Sequence, residues 1–118
     1  MLQKSRVYQT IGATLTLVSY NYPNYVFGIK NGSEAYIVED NDELKQKFKL
    51  VNGICGDSSS ISFESIEKPG HFLRHFNFLV SLEQEENSDI YKKDASFYPG
   101  ATNTVILLFF ISVLLYSF

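Results

Sequence analysis

An all-β fold built on an internal repeat is what this sequence predicts, and three observations predict it. Residues 61–100 carry short runs of alternating polar and apolar residues around Pro69-Gly70. Aromatic residues make up 15% of the chain, with Phe 10 and Tyr 8 but no Trp, a weighting that suits strands. The third observation is self-similarity: Thr16-Leu17-Val18-Ser19, Pro23-Asn24 and Asn31 stand 46 residues before Ser62-Phe63-Glu64-Ser65, Pro69-Gly70 and Asn77. A period of that size marks a repeat architecture rather than an unpatterned sheet.

In chain order, a short strand is expected around residues 6–11, ended by Gly12, either closing the fold or standing as a frayed arm. The first copy covers about residues 14–56. Its acidic stretch Glu39-Asp40-Asn41-Asp42-Glu43 corresponds to residues 83–89, and Phe48 answers Phe97 at an offset of 49. The later copy thus has about three extra residues in its acidic turn, where a hairpin loop tolerates insertion. Gly56-Asp57-Ser58-Ser59-Ser60 is a loop by composition, too short to separate domains, so both copies form one domain over residues 1–100.

The second copy, residues 61–100, reads as a β-meander: a strand at residues 62–66, one starting at Phe72-Leu73-Arg74-His75, and one at residues 78–82. An acidic stretch then separates these from residues 91–97. Alternation assigns Phe63, Leu73, Phe78, Val80, Leu82, Ile90 and Phe97 to the core.

Composition narrows the function classes. A chain of 118 residues supports one modest core and leaves no room for a large catalytic domain beside it. Net charge −3, with Lys+Arg 10 against Asp+Glu 13, gives no footprint for nucleic acid. The basic pairs, Lys45-Gln46-Lys47 and Lys92-Lys93, read as solvated strand ends. The single Cys55 makes no internal disulfide, and no His or Cys cluster has metal-ligand spacing, so neither metal nor cofactor is expected. Cys55 reads as a small residue near a turn rather than a nucleophile. The first residues lack the pattern of a secretory signal. Asn31-Gly32-Ser33 matches a glycosylation acceptor, which carries meaning only on a secretory route.

The ordered blocks Ser62-Phe63-Glu64-Ser65, Pro69-Gly70, Phe72-Leu73-Arg74-His75, Asn77-Phe78 and Lys93-Asp94-Ala95-Ser96-Phe97 resemble one repeat of the arabinose-binding domain of α-L-arabinofuranosidase B. The resemblance implies a β-trefoil, here incomplete or divergent, with two recognisable repeats and an apolar tail at residues 101–118 where a third should stand. It also implies non-catalytic binding of arabinofuranose side chains of arabinoxylan or arabinan. Members are typically extracellular and sit beside an arabinofuranosidase catalytic domain.

Sugar pockets pair an aromatic face with a few polar groups that fix hydroxyls, and a carboxylate beside an imidazole suits a furanose. By position, the resemblance implies His71, Phe72 and Asp94 as the pocket, with His75 a further contact or a support. Members usually have Tyr where Phe72 stands, and losing that hydroxyl keeps the stacking face. The bland readings remain open: His75 and Asp94 equally suit structural roles at turns, and Arg74 and Asn77 read as structural. In the first copy Gly28-Ile29 replace the Arg-His pair and Lys45 stands at the Asp94 position, so at most one working site is expected. No pair of carboxylates facing one bond is apparent, so no glycosidase activity is expected.

Residues 101–118 carry no charge. They read as a membrane span at the lower limit of length, through residues 105–118, as the hydrophobic part of a lipid-anchor signal, as strands completing the fold, or as an unrelated apolar end. The alternative to sugar binding is a structural or protein-interaction domain that has lost it, membrane-tethered if the tail inserts.

Overall fold

The computed structural model describes residues 11–19, 22–76, 79–99, 104–107 and 111–117, the last two segments as backbone. Its elements are β1 (Thr14–Ser19), β2 (Tyr25–Lys30), β3 (Glu34–Glu39), β4 (Phe48–Asn52), β5 (Ile61–Ser65), β6 (His71–Phe76), β7 (Leu79–Gln84), α1 (Asp89–Asp94), β8 (Thr104–Leu107) and β9 (Ile111–Ser117). The strand expected at residues 6–11 lies, except for Ile11, outside the described residues, as do Asn77 and Phe78.

Every described strand pairing is antiparallel. The strands run in the order β2-β3-β7-β6-β5-β4-β1, and β1 returns to β2 through Val18↔Val26, which closes a seven-stranded barrel. β4 and β2 share one edge of β1, so closure leaves the other edge of β1 to be paired. The all-β class therefore stands, but the β-trefoil does not: β1–β4 of the first copy and β5–β7 of the second close one antiparallel ring without a third copy. The resemblance suggested threefold symmetry, whereas the pairing of β1 with both β4 and β2 supplies closure by another route.

Turn chemistry sets the register. Asn31 (φ 55) and Gly32 (φ 79) take the left-handed conformation at the β2–β3 hairpin tip, where Lys30 pairs with Glu34. Gly70 (φ 85) ends the β5–β6 turn and donates its N–H to Glu64 Oε2 at 2.8 Å. Phe97 and Ile61 exchange both backbone hydrogen bonds, each 2.8 Å, so the end of the second copy returns to its own first strand.

Inward-facing residues fill the barrel: Leu15, Leu17, Phe27, Ile29, Phe48, Leu50, Ile61, Phe63, Leu73, Val80, Leu82 and Phe97 form one buried cluster. Each large apolar side chain so buried stabilises by about 1.5–3 kcal/mol before chain entropy is subtracted. Five of the seven core residues expected from alternation, Phe63, Leu73, Val80, Leu82 and Phe97, lie here. Ile90 does not; it sits on α1 and is 65% exposed.

The apolar tail forms a hairpin of β8 and β9, and β9 pairs with β1 from Leu15↔Ser117 to Ser19↔Val113. Leu15 also pairs with Phe48, so β9 takes the edge of β1 that β4 leaves open. Among the described residues no helix is long and apolar enough to cross a membrane.

Gly28 shows how tightly the first copy is closed. The segment before β4 lies on it: Gly28 bridges to Lys45, and Ile29 N–H donates to the Leu44 carbonyl at 3.0 Å. A Cβ at residue 28 would stand 2.7 Å from the Leu44 carbonyl oxygen and 2.9 Å from Val38 Cγ2. The Gly28→Ala variant is expected to lose about 1–3 kcal/mol of stability by urea denaturation. An unchanged midpoint would mean that the 44–45 segment does not rest on β2.

Candidate functional site

Successive strand residues project to opposite faces, and β6 uses both. Leu73 faces the barrel core, and the His75 ring lies against Phe97, centroids 5.2 Å apart. Phe72, Arg74 and Phe76 face outward, where α1 covers the first two. The outer face is thus a small second core of Phe72, Tyr91 and Ala95, with Val51 and Ile54 packed on it.

Helix α1 is short, so its ends and its packing hold it rather than its own hydrogen bonds. Ser88 caps it, its Oγ accepting the Tyr91 N–H at 3.2 Å, with Asp89 in the first turn and Lys92 and Lys93 in the last. Tyr91 is fully buried and its hydroxyl donates to the Glu83 carbonyl at 2.7 Å. Burial, then the carboxylates of Glu83 and Glu85, push its phenol up to about 12.

Arg74 ties the helix to the barrel. Its Nε and Nη2 both donate to Asp94 Oδ2, at 3.1 and 2.9 Å, and Nη1 donates to Glu83 Oε1 at 3.0 Å. The guanidinium carbon lies 5.1 Å from the Phe76 ring centroid and 5.2 Å from that of Tyr91. Burial works against its charge, but the bonds to Asp94 and Glu83 outweigh it and the net shift is upward.

The four residues expected to hold a sugar therefore do not meet at one point. Asp94 is committed to Arg74 on the outer face. His71 and His75 alternate with Phe72 and Arg74, which places them on the other face of β6. Phe72 is 6% exposed, its ring covered by the helix, so the stacking face expected of it is taken up by packing. His71 remains at the rim: it opens β6 directly after Gly70, and its Nδ1 lies 3.5 Å from the Pro69 carbonyl.

Beside that rim is a concavity of about 430 Å³ lined by Gly70, Gln84, Glu85, Asn87 and Lys92. Gln84 is the cross-strand partner of His71. Glu85 N–H donates to the Gly70 carbonyl at 2.9 Å, which fixes the floor, and Lys92 Nζ reaches Asn87 Oδ1 at 3.0 Å across the wall. Two amides, a carboxylate and an ammonium give donors and acceptors of the kind a polyol needs. Sequence reading missed these residues because an acidic polar run looks like any solvated turn. The signal available was its place, directly after β7 and opposite the Pro-Gly turn.

Cys55 sits in the loop between β4 and β5, where hydrogen bonds from Ser60, from Ser96 and with the Asp57 backbone lower the pKa of its thiol. Among the described residues no group of three or more His, Cys, Asp or Glu could hold a metal ion.

The family model described as the alpha-L-arabinofuranosidase B (ABFB) domain matches residues 15–109. The probable alpha-L-arabinofuranosidase B of Aspergillus fumigatus is 42% identical over 59 residues, which span 49% of this chain and 12% of that protein. The alpha-L-arabinofuranosidase B of Aspergillus niger is 33% identical over 69 residues, 55% of this chain and 14% of its own length. Among solved structures, a GH54 a-l-arabinofuranosidase soaked with a cyclic sulfate inhibitor superposes with a TM-score of 0.65 at 21% identity, covering 89% of this chain and 26% of that one. An arabinofuranosidase complexed with arabinofuranosyl-alpha-1,2-xylobiose gives 0.65 at 22%, covering 92% and 26%. Both likenesses concern the fold.

Burial of the Tyr91 phenol sets an alkaline limit. Its folded pKa of about 12 lies above the unfolded value near ~10, so its contribution is complete below about pH 10 and is lost as pH rises toward 12. In Tyr91→Phe the alkaline fall in melting temperature is expected to be shallower, while stability at neutral pH drops by about 1 kcal/mol with the lost bond to Glu83. Melts at several pH values from neutral to alkaline check both; parallel curves for the two proteins would contradict this assignment.

Proposed function

The chain belongs to the alpha-L-arabinofuranosidase B (ABFB) domain family, and from that membership we propose that it binds arabinofuranose side chains of plant-type polysaccharides without cleaving them. The family match, which spans the Pro69-Gly70 turn, β6 and the Asp94-Ala95-Ser96-Phe97 block, is the observation that carries this reading. The chain spans 12–14% of the length of the two curated relatives named above.

The sugar enters the concavity beside Gly70. Gln84 and Asn87 offer amides, Glu85 accepts hydroxyl hydrogens and Lys92 donates to a hydroxyl or ring oxygen, while His71, outside that lining but paired across the strands with Gln84, reaches the sugar from the rim. Asp94 acts at one remove: with Arg74 it holds the helix that carries Lys92. His75 braces β6 through Phe97, and Phe72 forms the packed backing under α1.

Hydrolysis requires one carboxyl group to donate a proton and a second to act as base or nucleophile across the same bond. Glu83 and Asp94, the two carboxylates gathered on the outer face of β6, both bind Arg74 instead. That arrangement fits a holding role.

Affinity electrophoresis in gels containing arabinoxylan tests the reading. The native chain is expected to be retarded relative to a polysaccharide-free gel. His71→Ala is expected to weaken association about fivefold to tenfold, the loss of one hydrogen bond of about 1–1.4 kcal/mol. Equal migration of the native chain in both gels would refute sugar binding.

A further inference from the structure

The two consecutive lysines of α1 face different concavities. Lys92 lines the one beside Gly70, whereas Lys93 lines another of about 450 Å³, together with Cys55, Asp57, Ser96 and Tyr98. The loop between β4 and β5, through Cys55 and Asp57, builds one wall of this second concavity, and the end of the helix and the chain leaving it build the other.

Hydrogen bonds fix both walls to each other. Cys55 N–H donates to Ser96 Oγ at 3.1 Å, and Ser96 Oγ in turn donates to the Lys92 carbonyl at 2.8 Å. Tyr98 is 57% exposed and still held in place, because its hydroxyl donates to Asp57 Oδ2 at 2.9 Å. The N–H and the hydroxyl of Ser59 donate to Asp57 Oδ1 at 2.9 and 2.8 Å. A carboxylate has about four acceptor positions, so these three donors leave capacity for a further hydroxyl.

An open aromatic ring, an ionised carboxylate, an ammonium and a hydroxyl around one concavity match the two sides of a sugar ring. Its C–H face lies on the aromatic surface and its hydroxyls reach the charged groups. Geometry separates this set from a cation site, which would not place an ammonium in the wall, and from an anion site, which would not place a carboxylate there.

We infer that the concavity lined by Asp57, Lys93, Ser96 and Tyr98 is a second sugar subsite, taking a neutral pentose or hexose residue of the same polysaccharide chain bound beside Gly70. It rests on the reading above in taking the ligand to be an arabinofuranosyl-bearing polysaccharide. The depressed Asp57 carboxyl, held low by the backbone and side-chain bonds from Ser59 and by Tyr98, remains an acceptor through the mildly acidic range. Because the two concavities flank a helix of six residues, one branched oligosaccharide occupies both, and binding at the first raises the effective concentration at the second.

The test is an NMR titration of the 15N-labelled chain with an arabinofuranosyl-substituted xylo-oligosaccharide. Amides of Asp57, Lys93 and Tyr98 are expected to shift alongside those of Gly70, Glu85 and Lys92. Tyr98→Ala, a change at an exposed ring, is expected to abolish the first set of shifts, keep the second, and weaken overall affinity about fivefold to tenfold. Movement of the Gly70 set alone in the native chain would overturn the second subsite and leave the first reading standing. Movement of the Tyr98 set alone would uphold the second subsite and refute the site beside Gly70. No movement in either set would refute both.

Discussion

One guanidinium holds the outer layer of this barrel together. Arg74 reaches from β6 to Asp94 at the end of α1 and to Glu83 on β7, with the rings of Phe76 and Tyr91 about 5 Å from its centre. A helix of six residues has too few internal hydrogen bonds to stand alone. Its position follows from this fork, from the Tyr91 hydroxyl and from the buried contact with Phe72. Both concavities are walled by this helix, so their shape depends on the same anchor. Lysine would not replace it, because an ammonium is a point charge without the planar fork that serves two carboxylates at once.

Corresponding positions in the first copy meet by different means. Gly28 and Lys45 occupy the places of Arg74 and Asp94, and they too are partners, through a backbone bridge. With no side chain at residue 28, the chain at Leu44 settles onto the strand. Lys45 turns instead to Asp40, at 3.1 Å on the surface. One copy closes its flank with main chain, while the other keeps it open with an ion pair that carries a helix. This contrast gives a physical reason for placing both proposed sugar contacts around the second copy.

Much of the barrel was legible in the sequence. Alternation located β5, β6 and β7 to within two residues, and put Phe63, Leu73, Val80, Leu82 and Phe97 in the core. The offset of the repeat matched β2 to β6, which begin at residues 25 and 71. The helix was missed because six residues are too few for periodicity to show. Its signals were Ser88 as a cap, Asp89 in the first turn and Lys92-Lys93 in the last. Missing it misplaced Ile90 in the core and left Phe72 with an open face that Tyr91 in fact covers. Asp94 was recognised as important by position, but its partner is Arg74, a residue that alternation alone could not join to it. Ring closure through β1 was beyond reach, since one residue pair, Val18 with Val26, decides it.

A barrel that seats one short helix by an ion pair can present polar groups on either side of that helix. Whether Arg74 and Asp94 act as a pair is the most direct test. In urea denaturation of the native chain, Arg74→Met, Asp94→Asn and the double variant, a coupling energy of about 2 kcal/mol is predicted for contacting charged groups. Additivity within about 0.5 kcal/mol would contradict the account, because the helix would then be held by something other than this contact.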